Sequence, residues 1–498
     1  MEIYSNENLR KLINSYGVAE YKKRDVFNDL QRFINAPNDK RICALFGLRR
    51  TGKTTLIMQS ILEQNANKCL LIQCSYEDDI GTLNQNLIKY DEYDIIYIDE
   101  VTKLSNFVNA ASILADKYAA LGKKIILSGT DSYALDLAYR DELYDRCRLL
   151  HTTYISYKEY NYLLGKDLDE YIKYGGTLTD GKTFYNNDNK NNYINSAIVK
   201  NIERSLAQAG RDGEFGVLRE FYERGEFSTF LQKIIELNNI SFLMSTVNRA
   251  FKSHDIGSLY DLLLKNKETT DMDFSFLKSK DFQDKIRLSL SIKEPLIAKA
   301  SRETIEEAKK YLEWADVIYR VPNSDEVIFT QPGLRYSQLE SELNVLKNSK
   351  ELLACPAQIR NIVYDKLESD IKGRMLEDII FYQLAKDEKI SYKYSTFKYK
   401  SVVDENMGRR DKEIDIVLMG KKTNNSYWIE VKYSKAQDDN QSVHLTSKSL
   451  ENKFKEETNT DVTGKIILYR CENLSITNDI TSVNASDFFL NPYKYLDY

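Results

Sequence analysis

Eight residues near the start of the chain carry its clearest chemical signal. Gly47–Thr54 reads GLRRTGKT and fits GxxxxGK(S/T) between the apolar run Ile42–Phe46 and a helical pattern, the context of a phosphate-binding loop. Its glycines let backbone N–H groups surround a phosphate, Lys53 reaches the β and γ phosphates, and the Thr54 hydroxyl ligates Mg²⁺. The candidate nucleotide ligands are Gly47, Arg50, Thr51, Gly52, Lys53, Thr54 and Thr55.

A second apolar run ends in two carboxylates. Ile95–Ile98 is followed by Asp99 and Glu100. At a strand end beside the phosphate loop, Asp99 would hold Mg²⁺ together with Thr54, and Glu100 would orient and polarise the attacking water. The pair therefore predicts hydrolysis of a bound nucleotide, with ATP as the expected ligand. A small-molecule kinase is a weaker alternative, because this carboxylate pair suits water as the nucleophile.

A third apolar run, Ile125–Leu127, is followed by small hydroxyl residues. The ends of parallel strands next to a phosphate loop are where such sheets place polar groups that contact the γ-phosphate. Either Thr130 or Ser128 would fill this role. The three strand ends together predict a nucleotide site.

A second group of charged residues lies in the last third of the chain. Lys412–Met419 and Tyr427–Lys432 both alternate apolar and polar residues around a turn-rich stretch, which predicts a β-hairpin. Period-two geometry puts Glu430 and Lys432 on one face, where Asp415 can lie opposite them. Two carboxylates and a lysine would build a site for Mg²⁺ or Mn²⁺ that activates water. The alternative is a solvated edge hairpin with an ordinary ion pair.

The surroundings of this hairpin are locally basic. Residues 391–435 hold ten Lys and Arg residues against six Asp and Glu residues. Within them, Lys393, Tyr394, Phe397, Lys398, Tyr399 and Lys400 interleave cationic and aromatic groups, as in a groove that follows phosphates and stacks bases. DNA is therefore an expected partner. An ordinary exposed strand explains the pattern equally well, since the chain is rich in tyrosine.

The elements that must position these residues form three predicted domains in an α/β chain. Residues 1–160 alternate short apolar strands with helical patterns after two N-terminal helices, which predicts a parallel sheet. Residues 161–348 are mostly helical, and near 300–332 a helix followed by two short extended runs suggests a winged helix-turn-helix. A plain structural module is the alternative there. Residues 349–498 alternate again and predict a C-terminal α/β domain. The strands expected in the two α/β domains include His151–Ile155 and Ser391–Tyr394.

Composition bounds the kind of protein. The chain has 498 residues, 42% of them hydrophobic and 29% charged, and a net charge of −5, which excludes disordered chains, collagens and an overall basic nucleic-acid binder. It lacks an apolar run of roughly 18 residues and the pattern of a signal peptide, so we expect a cytoplasmic location and no membrane. Six scattered Cys predict buried thiols. The three His, at 151, 254 and 444, are expected to be structural or at the surface.

These residues resemble a known group. The phosphate loop, the Asp99–Glu100 strand, Leu127–Ser132 and Tyr154–Tyr160 are similar to the AAA-type ATPases of the bacterial and archaeal signal-transduction class. Proteins of that class are usually fused to a PD-(D/E)XK nuclease-like domain, and the order Asp415, Glu430, Lys432 matches its core motif. The resemblance covers nearly the whole chain and implies a restriction-endonuclease-like fold for the C-terminal domain.

The resemblance adds two further site residues. The family's helix carboxylate aligns with Glu377, which would be a third metal ligand beside Asp415 and Glu430. An arginine of a Gly-Arg pair aligns with Arg146, although Asp145 replaces the glycine here. Arg146 would act as a finger on the γ-phosphate in the same chain, or it is a salt-bridged surface arginine.

The sequence therefore predicts an ATP-hydrolysing P-loop ATPase that regulates a metal-dependent, DNA-binding nuclease-like domain. The alternative is a nucleotide-driven switch or scaffold in which a catalytically dead nuclease-like domain binds protein or nucleic acid. A homo-oligomer or a protein partner is compatible with either function.

Overall fold

The computed structural model of the chain comprises two compact units. The described residues are 1–178, 194–201, 215–252, 281, 284–285, 300–405, 408–433, 442–470 and 479–496. The first unit comprises Met1–Glu236, Glu294–Ile318 and Phe329–Leu334. The second unit comprises Leu237–Lys293, Tyr319–Ile328 and Arg335–Tyr498.

A six-stranded sheet forms the centre of the first unit, in the order β1-β3-β4-β5-β2-β6. All neighbours pair in parallel except β1, which is an antiparallel edge strand on β3. Because β5 lies between β2 and β4, the end of β5 stands between the phosphate loop and the Asp99–Glu100 pair. The strands are β1 (Glu2–Ser5), β2 (Ile42–Phe46), β3 (Cys69–Gln73), β4 (Ile95–Asp99), β5 (Lys124–Gly129) and β6 (Cys147–His151).

Helices cover both faces of this sheet, which explains why its parallel strands are apolar throughout. One face packs Leu70, Ile96 and Leu127 against α4 to α6, and the other packs Leu71 and Tyr97 against α1 to α3. A π-helical turn, Leu114–Ala119, precedes β5. The helices are α1 (Asn6–Tyr16), α2 (Val26–Ile34), α3 (Lys53–Glu63), α4 (Ile80–Lys89), α5 (Phe107–Ala110) and α6 (Ser132–Asp141).

A mostly helical region follows the sheet, as the sequence predicts. In the first unit, Tyr133 packs against the rings of Phe215, Tyr311 and Trp314. A two-stranded sheet of β7 (Ile318–Arg320) and β8 (Val327–Phe329) comes after α11. The helices of this region are α7 (Tyr157–Leu164), α8 (Leu168–Tyr174), α9 (Gly216–Glu223), α10 (Phe227–Lys252), α11 (Arg302–Trp314) and α12 (Pro332–Lys347).

The second unit contains a five-stranded sheet in the order β13-β12-β11-β10-β9. β9, β10 and β11 are antiparallel neighbours, whereas β11, β12 and β13 run parallel. The strands are β9 (Tyr394–Glu405), β10 (Gly408–Gly420), β11 (Asn425–Lys432), β12 (Asp461–Tyr469) and β13 (Ile480–Asn484). The helices are α13 (Lys350–Leu353), α14 (Ala357–Lys386), α15 (Glu388–Lys393), α16 (Lys448–Thr458) and α17 (Ala485–Leu490).

A mixed α/β fold with an N-terminal parallel sheet and a helical middle region is thus confirmed, although some local predictions are wrong. A strand was expected at Ser391–Tyr394, but α15 occupies residues up to Lys393 because the Asp387 carboxylate caps it by accepting from the N–H groups of Lys389 and Ile390. The strand expected at His151–Ile155 ends at His151 instead.

The expectations about buried thiols and about membrane-spanning helices can be compared with the described residues. Cys43, Cys69, Cys74, Cys147 and Cys355 are free thiols in buried positions. Cys471 and His254 lie outside the described residues. In the described part of the chain, every helix is too short or too polar to cross a bilayer.

Candidate nucleotide and carboxylate sites

The loop between β2 and α3 holds Lys53 in a buried position. Lys53 Nζ donates to the carbonyl oxygens of Gly47 (2.7 Å) and Leu48 (2.8 Å). Burial lowers the pKa of Lys53 to about 8, although Glu100, Asp99 and Asp316 act to raise it. The loop carbonyls therefore hold the ammonium group at the amino end of α3, where phosphate oxygens would accept the same hydrogen bonds.

Two glycines make the shape of this loop attainable. Gly47 has φ 141° and Gly52 has φ 88°, values that side-chain-bearing residues rarely adopt. A Cβ atom on Gly47 would also lie 2.6 Å from Thr153 Oγ1 and 2.7 Å from Thr152 Oγ1. The start of the loop is consequently packed against the chain that follows β6.

Thr54 and Asp99 lie side by side, as a shared metal ion requires. Thr54 Oγ1 donates to Asp99 Oδ2 at 3.1 Å, and Ser128 Oγ donates to Asp99 Oδ1. Burial raises the pKa of Asp99, and the nearby Glu100 adds to this rise. A buried carboxylate beside a hydroxyl is an oxygen donor set that suits Mg²⁺, so these residues fit the ion.

Glu100 is held in place by two residues at the end of β5 and just after it. Thr130 Oγ1 donates to Glu100 Oε2 at 3.2 Å, and the Glu100 N–H donates to Ser128 Oγ at 3.2 Å. The Lys103 ammonium lies 3.9 Å from the same carboxylate. Of the two hydroxyl residues considered as alternatives, Ser128 therefore contacts the Asp99 carboxylate and the Glu100 backbone, whereas Thr130 contacts the Glu100 carboxylate.

A cavity of about 870 Å³ adjoins these groups, a size in the range of ligand pockets. Its lining includes loop residues together with Glu100 and Thr130, and also the side chains of Tyr21, Leu163 and Leu178. Leu178 lies against the loop, since its N–H donates to the Arg50 carbonyl at 2.9 Å. The cavity thus offers both polar and apolar groups to a nucleotide. The loop and α3 contribute Arg49, Arg50, Gly52, Lys53, Thr54, Thr55 and Leu56 to its lining.

Arg24 is a residue of this site that the sequence prediction missed. Its guanidinium donates to the Thr51 carbonyl (2.7 Å), the Thr152 carbonyl (2.7 Å), the Tyr154 carbonyl (2.9 Å) and both Glu159 carboxylate oxygens (2.8 Å each). Both charged side chains are only 5% exposed. Arg24 therefore fixes the phosphate loop to β6 and α7. The only sequence signal was Glu159, which lies in the Tyr154–Tyr160 stretch.

The prediction that Arg146 acts on the γ-phosphate within its own chain is not supported. The Arg146 carbonyl accepts from Ile42 N–H, which places Arg146 level with the start of β2, whereas the phosphate loop follows the other end of that strand. Arg146 NH1 lies 3.3 Å from the Asp116 carboxylate, and half of the Arg146 side chain is exposed. This geometry favours the alternative of a surface ion pair.

In the second unit, Asp415, Glu430 and Lys432 are brought together at the junction of β10 and β11. Lys432 Nζ lies 2.6 Å from Glu430 Oε2 and 3.9 Å from Asp415 Oδ2, and the Val431 N–H donates to Asp415 Oδ2 at 2.8 Å. The pairing of β9 with β10 is irregular between Ile414 and Val417. This bulge occurs at Asp415 and aims its side chain toward the neighbouring strand.

The charges of this group are strongly interdependent. Burial raises the pKa of Asp415 well above its usual range, and the negative charges of Glu430 and Glu377 raise it further. Glu377, on α14, is therefore close enough to share the electrostatic field of the pair. His444 Nδ1 lies 3.7 Å from Glu430 Oε1, a proximity that the sequence analysis missed because His444 has no partner at ligand spacing in the sequence.

Two features of this group, its oxygen donor atoms and their arrangement, decide whether the residues fit a metal ion. Glu430 Oε1 is buried and makes no hydrogen bond, and Asp415 carries a raised pKa, so the site has oxygen donors whose charge calls for a cation. In the described residues, however, no three His, Cys, Asp or Glu side chains are arranged around a common point for an ion. Lys432 supplies positive charge between the two carboxylates. The donor atoms suit Mg²⁺ or Mn²⁺, but their present arrangement offers two carboxylates rather than three.

The predicted base-stacking groove on residues 393–400 is wrong in its aromatic part. Tyr394 and Tyr399 are 4% and 7% exposed, and Tyr399 packs against Phe454 in the core. Lys398 pairs with Glu326 at 2.6 Å. The Tyr394 and Tyr399 rings are therefore not available for bases, and Phe397 is partly buried against the same core as Tyr399.

Comparisons with known proteins agree with the first site. An AAA-domain family profile matches residues 39–161, which span β2 to α7. No curated protein matches the chain.

Solved structures with similar parts share little sequence with this chain. A Walker-type ATPase of Pyrococcus abyssi is 14% identical and covers 64% of this chain and 95% of its own, with a TM-score of 0.28. The ORC2 protein of Aeropyrum pernix is 11% identical and covers 69% and 95%, with a TM-score of 0.29. DnaA of Aquifex aeolicus is 17% identical and covers 60% and 89%, with a TM-score of 0.24.

Proposed function

We propose, on the premise that residues 39–161 are an AAA-type P-loop ATPase domain, that the protein binds and hydrolyses ATP and thereby controls a nuclease-like C-terminal unit that acts on DNA. The observation that carries the ATPase part is the convergence of Lys53, Thr54, Asp99 and Glu100 at the end of one parallel sheet. A cytoplasmic location goes with this proposal.

In hydrolysis, each residue has a separate task. The Lys53 ammonium exchanges its loop carbonyls for phosphate oxygens and balances their charge. Glu100, oriented by the Thr130 hydroxyl, accepts a hydrogen bond from water and directs it at the γ-phosphorus. The water oxygen bonds to the γ-phosphorus while the bond between that phosphorus and the bridging oxygen breaks. The water proton passes by way of Glu100 to the phosphate product, and ADP and inorganic phosphate leave.

Thr54 and Asp99 would hold the Mg²⁺ ion that accompanies ATP. When bound, this ion supplies positive charge to the phosphate oxygens. The chain's own contribution is the pre-set contact between the Thr54 hydroxyl and the buried Asp99 carboxylate.

In the C-terminal unit, Asp415 and Glu430, with Glu377 nearby, would hold Mg²⁺ or Mn²⁺, which supplies Lewis-acid activation of water when bound. Lys432 would orient that water. Two features support this part of the proposal: the buried Glu430 Oε1 makes no hydrogen bond, with His444 Nδ1 at 3.7 Å, and the pKa of Asp415 is raised. The proposed substrate is a phosphodiester of DNA.

The second candidate function is a nucleotide-driven switch or scaffold with a catalytically dead C-terminal unit. It is favoured by Lys432, whose ammonium already pairs with both Glu430 and Asp415. The lack of a three-ligand arrangement in the described parts of the chain points the same way. A protein partner or a second copy of the chain would then bind with an affinity that depends on which nucleotide is bound.

The test is to incubate the full chain with Mg²⁺ or Mn²⁺ and plasmid or single-stranded DNA, with and without ATP. Lys53→Ala and Glu430→Ala serve as matched variants of the two sites, and ATP turnover is measured in parallel. We expect Lys53→Ala to lose ATP turnover. We expect Glu430→Ala to lose cleavage and keep ATP turnover.

Intact DNA in every sample together with ATP turnover would reject the nuclease part and leave the switch. Absence of ATP turnover in the unmodified protein would reject the ATPase part.

A further inference from the structure

Asp316 is a charged residue of the first unit that the mechanism above does not use. It lies in the turn between α11 and β7, its φ is 63°, and its side chain is only 18% exposed. Asp316 Oδ2 accepts hydrogen bonds from Ser132 Oγ (2.7 Å) and Thr153 Oγ1 (3.0 Å). The same oxygen lies 2.6 Å from His151 Nε2. Side chains that follow β5 and β6 thus converge on one carboxylate oxygen.

These contacts connect Asp316 to the phosphate loop. Thr153 Oγ1 also accepts from the Leu48 N–H at 2.9 Å, inside the loop. The His151 ring stacks on Phe46, the last residue of β2, with ring centroids 4.7 Å apart. A single hydroxyl therefore separates the Asp316 carboxylate from the backbone that would surround a phosphate.

Asp316 carries its negative charge into this region. Burial raises the pKa of Asp316, but His151 and the hydroxyl donors lower it more, so the pKa lies below its usual value and the carboxylate is ionised at neutral pH. Its charge also raises the pKa of Lys53 against the larger opposite effect of burial. The lysine that would contact phosphates thus experiences the field of Asp316.

We infer that Asp316 is a positioning residue that makes the loop discriminate between ATP and ADP. Its carboxylate, tied to the loop by Thr153, opposes the additional negative charge of the γ-phosphate. Binding of the triphosphate then weakens the attachment of the α11–β7 turn to the strand ends, whereas the diphosphate leaves it in place. The inference rests on the proposed ATP binding and names the part of the chain that responds to the nucleotide.

The test measures the dissociation constants of Mg·ATP and Mg·ADP by calorimetry, using the full chain and Asp316→Asn. The asparagine keeps the size and hydrogen-bond acceptor of the side chain and removes its charge. We expect ATP to bind roughly tenfold more tightly to the variant, with a smaller change for ADP, as the loss of one nearby unit charge predicts. A residue that only supported the fold would weaken both nucleotides when replaced.

Two controls isolate the charge. Asp316→Glu retains it and should keep the wild-type preference, and Asp29→Asn removes a surface carboxylate of the same unit and should change nothing. If Asp316→Asn does not fold, hydrogen exchange in the unmodified protein decides, because the inference concerns the attachment of the α11–β7 turn. The amides of that turn should exchange faster with Mg²⁺ and a non-hydrolysable ATP analogue than with Mg·ADP.

An unchanged ratio of the two dissociation constants in the folded Asp316→Asn protein, or equal exchange of the α11–β7 turn with the two nucleotides where that measurement decides, overturns the inference alone. A wild-type protein that binds neither nucleotide overturns the proposed function as well, so the two failures are distinguishable.

Discussion

At the scale of single residues, Lys53 links nucleotide binding to pH. Its pKa is lowered to about 8 mainly by burial, so it loses its proton as the pH rises through about 8. If phosphate binds only the charged form, affinity for ATP should fall roughly tenfold between about pH 7 and pH 9. Calorimetry across this range checks the prediction, and Lys53→Arg, which stays charged, should flatten the profile.

The same lysine affects folding in the opposite sense. Between about pH 8 and the ordinary lysine pKa of 10.5, the unfolded chain binds a proton that the folded chain lacks, so the contribution of Lys53 to the unfolding free energy increases with pH there. Deprotonation of Lys53 therefore does not destabilise the fold above about pH 8, and a loss of ATP affinity in that range has to come from the binding step.

Glu159 offers a second prediction at this scale. Glu159→Gln leaves the buried Arg24 guanidinium without its carboxylate, and breaking such a pair costs about 3–5 kcal/mol of unfolding free energy. Because Arg24 also holds the Thr51 carbonyl, the KM for ATP should increase in the folded fraction. Denaturant unfolding and ATPase kinetics test both effects. Glu7→Gln, in an exposed pair with Lys11, should leave both unchanged.

At the scale of elements, the phosphate loop depends on its packing against the chain after β6. Gly47→Ala should abolish nucleotide binding while most of the fold persists, because the added Cβ would meet Thr153 and Thr152 at under 3 Å. Gly122→Ala is the matched control, since Gly122 also has a positive φ but no neighbour within 4 Å of a Cβ. Nucleotide affinity that survives Gly47→Ala would show that the loop adapts.

The elements that a sequence pattern predicts well are those with a single local cause. β2, β4 and β5 are short apolar runs that end in polar residues. The positions of these strands and the functional residues at their ends could therefore be predicted from the sequence. α15 was missed because two local causes compete there. The Asp387 carboxylate caps a helix, whereas the residues that follow it resemble a strand. Arg24 and Asp316 were missed for another reason, since Arg24 and its partner Glu159, and Asp316 and its partner His151, lie more than a hundred residues apart in the sequence.

At the scale of the whole molecule, each unit has its own core and its own charged site. Lys432→Met leaves the buried Glu430 and Asp415 without their cation, which should lower the stability of the second unit by about 3–5 kcal/mol. The dissociation constant for ATP should stay at the wild-type value, because every proposed ATP ligand lies in the first unit. Thermal unfolding with and without Mg·ATP measures both, and a weakened ATP affinity would contradict this independence.

The path of the chain between the units has a consequence for ancestry. Residues of the second unit interrupt the first between Glu236 and Glu294 and again between Ile318 and Phe329, so the chain passes between the units five times. A gene exchange with one breakpoint would divide at least one unit wherever it fell. Recombination could therefore not trade one unit for another in a single event, and we expect the pair to have been inherited and diversified as one piece.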